Sequence, residues 1–85
     1  LTTPVPHFEL LETLRAEPGR IVRRNAHLAR LAASASYFGW DAARVSAAAR
    51  TALDAVAAAC TAPTRVRLTV TRDGATDVML APAPT

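Results

Sequence analysis

The sequence contains no lysine; all ten of its basic residues are arginine. That excludes any mechanism in which this chain itself supplies a Schiff-base lysine. Its one cysteine, Cys60, can neither close an internal disulfide nor assemble a zinc site. Two Phe, one Trp and one Tyr leave little for stacking nucleic-acid bases. Three glycines, Gly19, Gly39 and Gly74, all fall at turns and build no phosphate loop. The two histidines, His7 and His27, lack metal-ligand spacing, so no metal site is expected. No apolar run approaches the ~20 residues of a membrane span. Without a signal peptide or an initiator Met, the chain reads as part of a longer cytoplasmic protein with no membrane contact.

Eighty-five residues suffice for one small domain with one modest core. The apolar fraction of 51% fits a folded chain, although twenty of these residues are Ala and bury little area each. Such a core is expected to lean on a partner or on the remainder of a longer chain. The net charge of +3 and a pI near 10.5 raise a rival reading, a basic α+β module that binds nucleic acid. The arginines form no dense cluster, which weighs against it.

Four of the six prolines lie at the ends, so 1–7 reads as a Pro-rich linker, 8–80 as the ordered domain and 81–85 as a second linker. Phe8 to Arg15 is predicted as the first strand, with apolar residues at both odd and even positions. Both of its faces are therefore expected to be at least partly covered. Glu17-Pro18-Gly19 gives a turn, and Arg20 to Arg23 completes a hairpin. Asn25 is the expected N-cap of a helix over 26–38, with Leu28, Leu31, Ala32, Ala35 and Phe38 on one stripe and Gly39 ending it. Asp41 caps a second helix over roughly 42–60, whose apolar face carries Val45, Ala49, Ala52, Leu53, Val56 and Cys60. Arg50 and Asp54 lie on its outer face as an i,i+4 pair. Arg65 to Arg72 alternates strictly, and Asp73-Gly74 signals a type I′ hairpin into a strand over Thr76 to Leu80. The predicted fold is α+β, ββααββ, an antiparallel sheet with two helices on one face.

Few residues in this frame can carry chemistry. Cys60 is read as a buried, inert thiol. His7, in the linker, lacks a structured pocket. Arg30 follows His27 by three residues and lies beside the buried stripe. There it can present its five-donor fork to a phosphate or carboxylate, or snorkel over Leu. If Phe8, Leu10 and Leu14 face the helices, then Leu11, Thr13, Arg67 and Thr69 share the far face, a mixed surface suited to a ligand or to another domain. Glu12 then points at the helices and needs a partner, sought in Arg23, Arg24 or a strand neighbour.

Glu9-Leu10-Leu11-Glu12-Thr13-Leu14-Arg15, Pro18-Gly19, His27-Leu28-Ala29-Arg30-Leu31, Ser36-Tyr37-Phe38-Gly39 and Arg65-Val66-Arg67-Leu68 stand in one order and spacing. Together they resemble the N-terminal small domain of class IV aminotransferase-like enzymes, the fold-type IV pyridoxal 5'-phosphate (PLP) family, over about 8–80. Within that family, Phe8 through Gly39 is most similar to the 4-amino-4-deoxychorismate lyase part of fused aminodeoxychorismate synthase–lyase proteins. The resemblance implies a large C-terminal domain carrying the Schiff-base lysine, a homodimer, a small-molecule substrate and PLP held between the domains. It implies that Arg30 binds the PLP phosphate. It further implies that Arg67 meets a substrate carboxylate and that Leu11 lines the substrate pocket, at a position often aromatic in transaminases. The implied reaction is elimination of pyruvate to give 4-aminobenzoate for folate synthesis. The alternative is amino-group transfer involving branched-chain or D-amino acids. This chain, having no lysine, is expected to be inactive alone.

Overall fold

The computed structural model describes residues 8–84, so His7 and the 1–7 linker lie outside the described residues. The elements run β1 (Leu10–Glu17), β2 (Arg20–Ile21), α1 (Arg24–Tyr37), α2 (Ala42–Ala59), β3 (Thr64–Val70) and β4 (Thr76–Pro82). They form one four-stranded antiparallel sheet in the order β2-β1-β3-β4. The expected α+β order ββααββ is the observed one.

Burial alternates along β1 and β3, because successive side chains point to opposite faces. Leu10, Leu14 and Ala16 from β1, with Val66, Leu68 and Val70 from β3, meet Leu28, Leu31 and Ala35 of α1 and Val45, Ala49 and Leu53 of α2. Both faces of β1 were expected to be partly covered; instead the far face is open, and Leu11 on it is 48% exposed. The two helices occupy one side only, and nothing among the described residues covers the other.

Local chemistry explains several boundaries. α1 ends in a Schellman motif: Gly39 takes φ +74°, Trp40 N–H donates to Ala35 C=O at 2.8 Å, and Gly39 N–H donates to Ser36 C=O at 3.0 Å. Asp41 caps α2 by accepting from Arg44 N–H at 3.1 Å. The α1 cap differs from expectation. Arg23, not Asn25, is the N-cap, in the left-handed region at φ 56°, with no side-chain hydrogen bond. Val22 N–H still donates to Arg15 C=O at 2.9 Å, in register with the hairpin, but the chain turns at Val22 and Arg23, so β2 is only two residues long and the helix begins earlier.

The β3–β4 connection is also corrected. A type I′ turn needs φ > 0 at both central residues, yet Gly74 is the one residue of that turn with positive φ. Thr71 N–H donates to Ala75 C=O at 2.9 Å and Gly74 N–H to Thr71 C=O at 3.0 Å. Arg72-Asp73-Gly74 is thus a three-residue loop. The Thr71 hydroxyl steadies it by accepting from Ala75 N–H at 3.0 Å. β4 runs on to Pro82, two residues past Leu80, and the proline sits at the end of an edge strand where its missing donor is tolerated. Asp54 pairs with Arg24 at 2.6 Å instead of with Arg50, which ties the start of α1 to α2.

Candidate functional site

The interior polar contact is the carboxylate of Glu12 with His27. Glu12 lies on the helix-facing row of β1 and is 8% exposed. Its partner is none of the arginines expected for it; His27 Nδ1 on α1 lies 2.7 Å from its Oε1. Arg23 and Arg24 stand at the start of the same helix, but Arg24 turns to Asp54 of α2, and His27, about one turn further along α1, reaches the carboxylate instead.

The apolar stripe of α1 turns His27 toward the sheet at its flank. Leu28, Leu31 and Ala35 are buried, His27 and Ser34 are half-buried on one flank, and Arg30 stands just outside that flank, exposed. Arg30 is therefore farther from the core than a residue beside the stripe. Its fork makes no ion pair or side-chain hydrogen bond among the described residues. Arg24 is held by Asp54, while Arg15 and Arg20 both meet Glu17.

Leu11, Thr13, Arg67 and Thr69 do come together on the far face. Leu11 pairs with Thr69 and Thr13 with Arg67 across β1 and β3. Arg30 is in the other layer, with α1. The two layers share one rim, the open edge of β1. β2 pairs only with Ala16 and Glu17, so Leu10 to Arg15 have no β2 residue opposite them. Arg15 C=O points to the β2 side, and alternation turns the N–H and C=O of Thr13 and Leu11 to that same, here unpaired, side. α1 runs back along β1, from β2 toward Phe8, whose ring meets Phe38 at 4.8 Å. Arg30 follows His27 by about 4.5 Å of helix rise, which carries it toward the Leu11 end of that edge.

An exposed guanidinium with no ion-pair partner among the described residues suits a phosphate. In this respect the residues present fit the phosphate end of PLP; with no lysine in the chain, they do not hold its reactive end. Cys60 is half-buried at the C-cap of α2, with its thiol toward Ala62 C=O at 3.0 Å. Among the described residues no group of His, Cys, Asp and Glu could hold a metal, and no helix is long and apolar enough to cross a membrane.

A family model described as amino-transferase class IV matches residues 9–85. No individual curated protein and no solved structure matches the chain.

Proposed function

The chain belongs to the amino-transferase class IV family, and from that premise we propose that it is the N-terminal small domain of a PLP-dependent 4-amino-4-deoxychorismate lyase. PLP, when bound, supplies the electron sink for bond cleavage at the substrate. The observation that supports the reading is Arg30: exposed on α1 and without an ion-pair partner among the described residues. Its guanidinium would hold the phosphate by charge-assisted hydrogen bonds. Arg67, exposed on the far face beside Thr13, would orient a substrate carboxylate, and Leu11 would give the pocket an aliphatic wall. The lysine would come from a larger domain, which also covers the bare sheet face and excludes water from the site.

The description of the family itself favours a second reading, amino-group transfer between an amino acid and a 2-oxo acid. One experiment separates the two. A polypeptide joining this chain to the lysine-bearing domain is loaded with PLP and given 4-amino-4-deoxychorismate, or an amino acid with a 2-oxo acid. Pyruvate and 4-aminobenzoate in equal amounts support the lyase. Amino transfer without pyruvate release overturns it in favour of the transaminase, and failure to take up PLP overturns both.

A further inference from the structure

We propose that Arg15 and Arg65, paired across β1 and β3 on the far face, hold the second carboxylate of a substrate whose first carboxylate meets Arg67. The site would then select small molecules with two carboxylates. This inference rests on the reading of the far face as a substrate surface and adds a second anion subsite to it.

The register brings the charges together. Arg15 lies directly opposite Arg65, and Thr13 lies opposite Arg67. Arg15 C=O accepts from Val22 N–H on the β2 side, so Arg15 and Arg65 form a non-hydrogen-bonded pair across β1 and β3. In such pairs the Cα atoms approach to about 4.5 Å and the side chains lie closest. Like charges directly opposite one another destabilise a sheet. Two acids of the strands share this face, and neither cancels the repulsion. Glu17 meets Arg15 at 3.4 Å but is shared with Arg20 at 3.5 Å. Asp77 stands opposite Thr69 and makes no ion pair among the described residues. Arg15 also donates to Pro84 C=O at 3.0 Å. Arg65 and Arg67 are exposed, and neither makes an ion pair or a side-chain hydrogen bond among the described residues.

An open cavity of about 430 Å³ lies at this corner, with Thr13, Arg15, Arg65 and Ala81 in its lining. Ala81 is the β4 neighbour of Arg65, and its small side chain leaves the cavity clear. Arg67 is outside the lining, two residues along β3, which is about 7 Å of strand. The cavity therefore takes a different group from the one at Arg67, and long arginine side chains can adjust that spacing to the two ends of a short diacid. A guanidinium is a planar fork that binds a carboxylate through two parallel N–H···O bonds. A carboxylate between Arg15 and Arg65 turns a repulsive pair into two attractive ones. The lyase substrate proposed above yields pyruvate and 4-aminobenzoate, each a carboxylate, and so carries one for each subsite. A branched-chain substrate with a single carboxylate would leave the Arg15–Arg65 pair uncompensated.

The test needs no PLP, so its failure is separate from failure of the cofactor reading, which PLP uptake by the longer polypeptide decides. The 85-residue chain is titrated with glutarate and with butyrate, a monocarboxylate of similar length, while the arginine Nε–Hε signals are followed by NMR. Glutarate should shift Arg65 and Arg67 together and bind roughly fivefold or more tighter than butyrate. Arg65→Gln should abolish that preference, and so should Arg67→Gln. Arg44→Gln, which removes the same charge from α2, should keep it. All three arginines are exposed, so none of these changes opens a core cavity. Equal binding of the two acids overturns the proposal. So does a preference that survives Arg65→Gln, or one that Arg44→Gln removes as well, since net charge alone would then account for it.

Discussion

Glu12 on β1 and His27 on α1 meet at 2.7 Å, joining the sheet to the helix layer by a carboxylate–imidazole contact. Leu10 and Leu14 flank Glu12 on its row and Leu68 lies opposite, so the contact sits within an apolar surround. In such surroundings an unpartnered carboxylate is costly, and the imidazole N–H stabilises the arrangement by meeting it.

His27→Ala should therefore destabilise the domain by about 1–3 kcal/mol, the desolvation cost of a buried acceptor left alone. Glu12→Gln, which keeps an acceptor of the same shape, should cost less. In urea melts, the double variant Glu12→Leu with His27→Ala should recover part of the loss, giving a coupling energy of roughly 0.5–3 kcal/mol. Strictly additive effects would mean that the two side chains are energetically independent.

Arg23 predicts a gain. It holds φ 56° at the start of α1, a region that costs a side-chain-bearing residue about 1–2 kcal/mol. It is exposed and has no ion pair among the described residues. Arg23→Gly should raise stability by about 0.5–1 kcal/mol, once the greater freedom of glycine in the unfolded chain is set against the relieved strain. A melting temperature that falls instead would mean that the arginine side chain contributes more than its exposure indicates.

Much of this architecture was legible, and the reason is periodicity. Leu28, Leu31 and Ala35 at helical spacing, and Val66, Leu68 and Val70 at strand spacing, each state which face is inside. Gly39 and Asp41 announced the helix boundary through backbone and capping chemistry that is local. What the sequence concealed is non-local. The Glu12–His27 and Arg24–Asp54 contacts depend on how the layers stack. Arg23 as a cap runs against propensity, since chain reversal out of the short β2 decides it. The periodicity already put Arg30 on a helix and Arg67 on the far face of the sheet, hence in different layers. What it did not show is that β2 is only two residues long and leaves most of the β1 edge without a β2 neighbour.

Core truncation should separate buried from exposed leucines. Leu53 is 1% exposed in the middle of α2, whereas Leu11 is 48% exposed on the far face. Leu53→Ala should cost about 2–5 kcal/mol, a large share of the ~4–13 kcal/mol available to a domain of this size. Leu11→Ala should cost within about 0.5 kcal/mol in the isolated chain. Equal losses in chemical denaturation would contradict an open far face.

Arg30 gives the residue-level test of the cofactor reading. It is exposed and outside the helix stripe, so Arg30→Ala opens no core cavity and should leave the melting curve nearly unchanged. If its fork meets the PLP phosphate in the protein that joins this chain to the lysine-bearing domain, its loss removes a charge-assisted pair. A PLP titration should then show affinity lowered roughly ten- to hundredfold. Arg30→Lys should recover only part of it, because an ammonium keeps the charge but not the paired geometry. Arg44 is the matched control. It is an exposed arginine on α2, packed near Gly74, where a Cβ would come within 3.2 Å of its side chain. Arg44→Ala should bind PLP normally. Equal binding by Arg30→Ala and Arg44→Ala would remove Arg30 from the phosphate site and leave the family membership without a cofactor contact in this chain.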